Sequence, residues 1–288
     1  MAAPVRFVAE VSSNHNQDPK RCLALIDAAA DAGCDAVKFQ LFRIDSLFAP
    51  EVLAKSEKLR RRKAWELPLA IIPELAARAK SRGLAFGCTP FYLEAVGELA
   101  PYVDFLKIAS YELNWLALAR ACAATGIELI LSTGMAVPGE IEAAVAAARE
   151  AGCPGPVLLH CVSGYPAKPA EANLSAIGFL RRAFGCKAGW SDHTASPGVI
   201  HRAVHAHGAE LVEFHLDLDG AGAEFQSGHC WLPGRIAQVI RDVRDGLAAD
   251  GDGIKRPAPG EAGDVAWRAD PGDGLRPTLA VRQEWARK

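Results

Sequence analysis

The sequence lacks the charge excess, the long apolar runs and the secretion signal that mark several classes of protein. Its 32 lysines and arginines face 34 aspartates and glutamates, a formal net charge of -2, which does not suggest a nucleic-acid binder. The first four residues lack the charged and apolar regions of a signal peptide, and no apolar run approaches membrane-spanning length. We therefore expect a cytoplasmic enzyme with neither a membrane nor a nucleic-acid partner.

Paired cysteines are also missing. The eight cysteines are scattered singly, and no C-x-x-C spacing indicates a zinc site. In a chain of 288 residues with a sizeable core we expect them to remain reduced thiols. Cys34, Cys88 and Cys161 fall within strand-like runs, so we interpret them as small core residues.

Apolar, β-rich runs alternate with alanine-rich segments of helical spacing. The runs begin near residues 5, 35, 84, 104, 128, 156, 187 and 210. Helices are predicted from about residue 22 to a C-terminal cap at Gly33, over 140–151, over 196–208 and over 233–247. Eight strands, each followed by a helix, predict parallel pairing and an α/β fold, the closed (β/α)8 TIM barrel. An open doubly wound sheet is the alternative, but residues 10–14 are not a glycine-rich nucleotide loop.

Two segments interrupt this alternation. Residues 41–67 form a long charged connection with a possible short helix, and connections of that length are usually functional. Its basic run, residues 58–63, is interpreted as a solvated face, with attraction of a phosphorylated substrate as the alternative. Residues 248–288 are rich in Gly, Pro and Asp and predict an extended C-terminal arm after a catalytic barrel of residues 1–247.

Polar side chains follow every predicted strand at its carboxyl end, where barrel enzymes build their sites. Lys38 and Lys107 lie in two of these strands, and burying an ammonium is unfavourable unless an anion is present. Two lysines, several hydroxyls and the nearby helix N-termini together predict a receptor for phosphate and carboxylate groups.

Seven collinear motifs carry a specific resemblance. They are AEVSSNHN, DAVKFQ, KIAS, LSTGM, LLHCVSGYP, GWSDHT and VEFH, spread over roughly residues 5–247. The chain resembles the N-acetylneuraminate synthase family, which includes the legionaminate and pseudaminate synthases. The resemblance implies condensation of phosphoenolpyruvate with a sugar aldehyde, giving a 2-keto-3-deoxy sugar acid, a sialic acid-like nonulosonate, and phosphate.

The resemblance also implies residue roles. His193 and His215 match the two ligands of the divalent metal, manganese in the first place, with magnesium or cobalt as alternatives. Glu10 matches the catalytic carboxylate beside the reacting carbons. The substrate-binding positions implied in the same way are Lys38, Lys107, Ser110, Ser132, Ser163 and Ser191 for phosphoenolpyruvate, with Gln40, Tyr165 and Glu224 for the sugar. Glu224 is only the nearest equivalent of the family's sugar-binding aspartate, because the stretch around His229 departs from the family pattern.

The C-terminal arm is a second departure. Relatives carry an antifreeze-like domain that reaches across a dimer, and this sequence ends about where that domain would begin. We expect a homodimer in which the arm packs on the barrel or on a partner subunit, with Trp267 or Arg268 near the site. A separate capping protein or a different aldehyde are the alternatives.

Two rival functions stay open. A Schiff-base aldolase would use Lys38 or Lys107 as its nucleophile on the same barrel. A non-catalytic homologue would keep the barrel without activity. His201 and His205, spaced i, i+4 on a predicted helix, are interpreted as surface residues rather than metal ligands.

Overall fold

The computed structural model describes residues 5–287 and contains a closed barrel of eight parallel strands, paired in chain order from β1 to β8. Strand β1 pairs with both β2 and β8, so that Glu10 lies in register with Lys38 on one side and His215 on the other. This confirms the predicted (β/α)8 barrel and rules out an open sheet. The strands are β1 (Arg6–Glu10), β2 (Ala36–Leu41), β3 (Ala85–Pro90), β4 (Phe105–Ile108), β5 (Glu128–Ser132), β6 (Val157–Cys161), β7 (Ala188–Asp192) and β8 (Leu211–His215).

Helices follow the strands around the barrel. The predicted first helix ends before Gly33, whose φ of +85° suits glycine at a helix C-terminus. The predicted helix over 196–208 is shorter than expected, because its second half, Arg202–Ala206, winds as a π-helix. The helices are α1 (Pro19–Asp31), α2 (Ile44–Leu47), α3 (Pro50–Lys55), α4 (Glu57–Arg60), α5 (Ile72–Ser81), α6 (Leu93–Leu99), α7 (Leu116–Ala124), α8 (Pro138–Glu150), α9 (Ala176–Phe184), α10 (Pro197–His201), α11 (Pro233–Ala249) and α12 (Leu279–Trp285).

The connection after β2 is more structured than the single short helix expected. It holds α2, α3, α4 and the 3-10 turn Arg61–Trp65 in succession. Gln17 donates from Nε2 to the carbonyl oxygens of Lys63 and Glu66, both at 2.9 Å, and Glu66 accepts from the backbone of Ile44 at 2.6 Å. These bonds fix the connection against the carboxyl end of β1 and against its own first helix.

Side chains inside the barrel form an apolar layer below a polar one. Successive residues of a strand point to opposite faces, so every second residue enters the barrel. The apolar layer near the amino ends of the strands consists of Val8, Ala36, Phe105, Ile130, Val157, Leu159 and Leu211. A Cβ at Gly87 would overlap the Phe105 ring, so this glycine makes room for the largest member. Two residues further along most of these strands the inward positions are polar.

The chain divides into two compact units between residues 247 and 248, and we propose that this boundary separates the catalytic barrel from the arm. Within the second unit, the rings of Trp267 and Trp285 meet edge to face at 6.2 Å, and Thr278 donates its backbone N–H to Ala266. Trp267 and Trp285 nevertheless remain 50% and 65% exposed. From residue 5 to residue 287, no helix is long and apolar enough to cross a bilayer.

Candidate active site

The carboxyl ends of the barrel strands surround a cavity of about 410 Å³. Its walls come from the polar inward positions of the strands and from the connections that follow β2, β6 and β8. Ser163 is not among the wall residues. Its hydroxyl and that of Ser110 lie beside Gly134, where an added Cβ would overlap both. The other residues expected from the sequence all line the cavity: Glu10, Lys38, Gln40, Lys107, Ser110, Ser132, Tyr165, Ser191, His193, His215 and Glu224.

Both buried lysines have a buried carboxylate partner. Lys38 forms an ion pair with Glu10 and donates to Thr89 Oγ1 at 2.8 Å. Lys107 Nζ lies 2.7 Å from Glu213 Oε1, which also accepts from Ser191 Oγ at 3.2 Å. From the sequence, the charge of these lysines was expected to be balanced by an anionic ligand. Instead the protein supplies internal anions, so an incoming phosphate has to share these lysines with Glu10 and Glu213.

Burial and mutual charge set the protonation of this pair of ion pairs. Burial lowers the pKa of the Lys38 ammonium to about 7, and the neighbouring charge of Lys107 acts in the same direction. Burial alone would raise the pKa of Glu213, but the ammonium groups of Lys107 and Lys38 outweigh it and lower the pKa to about 2. Glu213 is therefore ionised at neutral pH, whereas Lys38 loses its positive charge as the pH rises through about 7.

Serine hydroxyls complete the deep end of the cavity. Ser110 Oγ accepts from the backbone N–H of Gly134 at 3.1 Å. Ser132 Oγ and Ser163 Oγ are buried, and neither has a hydrogen-bond partner within residues 5–287. Because buried hydroxyls are normally paired, these two are available to a bound oxygen-rich ligand.

On the other side of the cavity lies a histidine cluster, made of His193, His215 and His229 with the carboxylate of Glu224. The ring centroids of His193 and His215 are 5.2 Å apart, and those of His215 and His229 are 4.6 Å apart. Glu224 Oε2 lies 3.0 Å from His215 Nδ1 and 3.8 Å from His229 Nε2. The Tyr165 ring packs on this cluster, 4.3 Å from His193 between centroids.

The cluster has the chemistry of a divalent-metal site. Burial lowers the pKa of His215 to about 4, so its imidazole is neutral at pH 7, the form that binds metal ions. His193 Nδ1 lies 2.8 Å from the carbonyl oxygen of Val162, and as donor there it leaves Nε2 with the lone pair. Burial opposes ionisation of Glu224, but its contacts with His215, His229 and Ser12 hold its pKa well below the usual range. Imidazole nitrogens and one carboxylate are ligands that fit the metal that the family resemblance implies.

The connection after β8 is held in place by residues that follow β1. Asn14 Oδ1 accepts the backbone N–H of Glu224 at 2.9 Å, and Asn14 Nδ2 donates to the carbonyl oxygen of Leu216 at 3.0 Å. A Cβ at Gly222 would overlap Asp217 Oδ1, so only glycine allows this close approach. Ser12 Oγ then donates to Glu224 Oε1 at 2.7 Å. Residues that follow β1 thereby fix the Glu224 carboxylate beside His215, the last residue of the neighbouring strand β8.

Several wall residues were missed from the sequence. Glu213 lies two positions before His215 on the same face of β8, a spacing that could have identified it. Arg62 and Trp65 reach the cavity from the long connection after β2, which the sequence marked as functional without choosing residues. Cys34 and Cys88 pack in the core as expected. Cys161 is buried as expected, and it also lines the cavity with Sγ 3.8 Å from His193 Nδ1.

Comparison with known proteins places this geometry in context. Residues 25–255 match the NeuB family. The chain is 35% identical over 268 residues to the N,N'-diacetyllegionaminic acid synthase of Campylobacter jejuni, a match that covers 88% of this chain and 80% of that protein. It is 33% identical to the pseudaminic acid synthase of Helicobacter pylori, covering 76% and 67%. The crystal structure of an N-acetylneuraminic acid synthetase from Leptospira borgpetersenii superposes with a TM-score of 0.80 at 30% identity, covering 99% and 93%.

Proposed function

The chain belongs to the NeuB family, and we propose that it condenses phosphoenolpyruvate with a sugar aldehyde to form a 2-keto-3-deoxy sugar acid of the nonulosonate type. The named relatives are synthases, and the chain is an enzyme of this carbon–carbon bond-forming class. The observation that carries the proposal is a single cavity with two buried lysine–glutamate pairs on one side and a cluster of histidines on the other.

The lysine side of the cavity is proposed to bind phosphoenolpyruvate. Its phosphate and carboxylate repel each other, and Lys38 and Lys107 offset that repulsion with charge-assisted hydrogen bonds. The hydroxyls of Ser132 and Ser163, which lack partners within the described chain, then donate to phosphate oxygens. Ser110 and Ser191 border the same space and complete the pocket.

The histidine side is proposed to hold a divalent cation, with His193 and His215 as ligands and Mn²⁺ as the first candidate over Mg²⁺ or Co²⁺. When bound, such an ion supplies Lewis acidity toward an aldehyde oxygen. Gln40, Tyr165 and Glu224 are proposed to contact the sugar hydroxyls, because they line the space between this side and the rim.

Glu10 lies where it can act on the reacting carbons. Its Oε1 accepts the backbone N–H of Ser12 at 2.7 Å, and its Oε2 faces Lys38. These two donors hold the carboxylate in one orientation. We propose that C3 of phosphoenolpyruvate forms a bond to the aldehyde carbon, whose oxygen takes up a proton. Glu10 steadies the positive charge that this leaves at C2 and orients the water that adds there. Loss of phosphate by C–O cleavage then gives the keto acid.

A phosphate-release assay tests the proposal directly. The purified enzyme is incubated with phosphoenolpyruvate, Mn²⁺ and a panel of N-acetylated hexoses and other sugar aldehydes, and both phosphate and keto acid are measured. Aldehyde-dependent release of one phosphate per keto acid is the expected result. Release of phosphate without an aldehyde, or no release with any aldehyde, would contradict the proposal.

A Schiff-base aldolase remains a second candidate, because the lowered pKa of Lys38, about 7, is a property that nucleophilic lysines need. Borohydride reduction in the presence of a 2-keto acid distinguishes the two reactions. A covalent adduct on Lys38, with activity unaffected by chelator, would favour the aldolase. The Glu10 carboxylate beside Lys38 favours the ammonium form over the neutral amine that attacks a carbonyl, which argues against the aldolase.

A further inference from the structure

His229 is a buried side chain without a hydrogen-bond partner. It is 3% exposed and lines the cavity, yet neither Nδ1 nor Nε2 forms a hydrogen bond with any residue from 5 to 287. An unpaired polar group in the interior is unfavourable, and nearly all buried polar groups in native proteins have a partner. A bound metal ion, coordinated by one of the ring nitrogens, would explain why His229 has no hydrogen-bond partner among the described residues.

The three histidine rings are arranged around one point. Their centroids are separated by 5.2 Å, 4.6 Å and 6.0 Å, and their planes are mutually inclined by 64°, 71° and 88°. A triangle with these sides has a circumradius of about 3.1 Å. A metal–imidazole bond of roughly 2.1 Å places an ion about 3.2 Å from the ring centroid. The centroid spacing therefore matches that of three imidazoles around one ion, and of the ligand atoms themselves those of His215, Glu224 and His229 lie within 4.8 Å of one another.

Glu224 supplies a carboxylate at the same place. One ligand atom each from His215, Glu224, His229 and Cys230 lie within 4.8 Å of one another. The Cys230 sulfur is already contacted by Asn14 Nδ2 at 3.5 Å. The carboxylate is anchored through its other oxygen by Ser12, so Oε2 is held toward the rings before any ion arrives. Such preorganisation reduces the entropy lost on binding.

We propose that His229 and Glu224 are metal ligands alongside His193 and His215, so that three imidazoles and one carboxylate hold the divalent cation. The inference rests on the proposed function only in taking the cation to be the one used in the reaction. It reassigns Glu224 from sugar contact to metal ligand. It also favours Mn²⁺, Co²⁺ or another transition ion over Mg²⁺, because Mg²⁺ prefers oxygen ligands.

Metal binding in the absence of substrates tests this set. Mn²⁺ affinity is measured by titration calorimetry for the wild type, His229→Asn, Glu224→Gln and the control His205→Asn, an exposed histidine outside the cavity. We expect His229→Asn and Glu224→Gln to weaken binding by about 10- to 100-fold or more, the loss typical of altered metal environments. The control should bind as the wild type does.

Pulsed EPR of Mn²⁺ bound to protein labelled with ¹⁵N-histidine counts the coordinated imidazoles. Three in the wild type and two in His229→Asn are expected, and two in the wild type would overturn the inference. Unchanged Mn²⁺ affinity in His229→Asn would also overturn it. If that variant fails to fold, the count in the wild type decides alone.

These outcomes are independent of the proposed reaction. If three imidazoles are coordinated in a protein that releases no phosphate, the proposed ligand set stands and the proposed reaction is wrong. If only two imidazoles are coordinated in an active enzyme, the proposed reaction stands and the proposed ligand set is wrong.

Discussion

Replacing Lys107 by methionine should have two separable effects, one on stability and one on phosphoenolpyruvate binding. Lys107 is 5% exposed and pairs with Glu213, which is 2% exposed. Removing the ammonium leaves the Glu213 carboxylate buried without its main partner. Loss of one member of a buried pair destabilises a protein by about 3–5 kcal/mol. Because Ser191 still donates to Glu213 and Lys38 still acts on it, we expect the lower end, near 3 kcal/mol.

The binding effect follows from the lost hydrogen bond to an anion. A charge-assisted bond contributes about 1.5–3 kcal/mol, which corresponds to roughly a 10- to 150-fold weaker dissociation constant. The single substitution cannot distinguish a lost contact from a distorted pocket. The double variant Lys107→Met, Glu213→Gln can, because it removes both charges and leaves no buried carboxylate unpaired.

Two measurements separate the effects. Urea unfolding should show that the double variant recovers most of the stability lost in Lys107→Met. Titration calorimetry should show that its affinity for phosphoenolpyruvate stays weak. Lys187→Met, which removes an exposed lysine before β7, is the matched control and should change neither quantity. If the double variant binds phosphoenolpyruvate like the wild type, Lys107 serves only to balance Glu213 and the proposed pocket is wrong.

Three further predictions concern the metal, the pH dependence and the rim. A chelator should abolish phosphate release and Mn²⁺ should restore it; full turnover in excess chelator with no bound metal would contradict the metal role. Lys38 binds anions only when it is protonated, and its pKa is about 7. The affinity for phosphoenolpyruvate, measured by calorimetry, should therefore fall as the pH rises from 7 to 9, a range in which the phosphate, with a second pKa of about 6, is already dianionic. Lys38→Met should make the affinity less dependent on pH over this range. Arg62→Gln should raise the KM for the aldehyde severalfold, since Arg62 lines the cavity, whereas Arg61→Gln, which removes a partner of Glu57, should not. Equal effects would place Arg62 outside the binding site.

The sequence by itself determined the barrel and predicted most of the residues that the structure brings together at the cavity. Strand and helix periodicities are local properties, and eight repeats of them leave few topologies open. Parallel strands bring their carboxyl ends together, so residues as distant as Glu10 and His215 could be assigned to one place before any contact was known. The resemblance to the family then indicated which of those side chains to propose for the chemistry.

Only the tertiary structure decided which charged side chains pair with each other and which residues of the connections line the cavity. Lys107 and Glu213 are 106 residues apart, and their pairing depends on which inward positions meet across the barrel. His229 and Glu224 lie in a connection without periodicity, whose course is set by Asn14 from the far end of the sequence. A strand's pattern fixes the face of each residue within that strand. A connection's course is fixed by contacts from elsewhere in the chain, so the metal-ligand set proposed above became visible only in three dimensions.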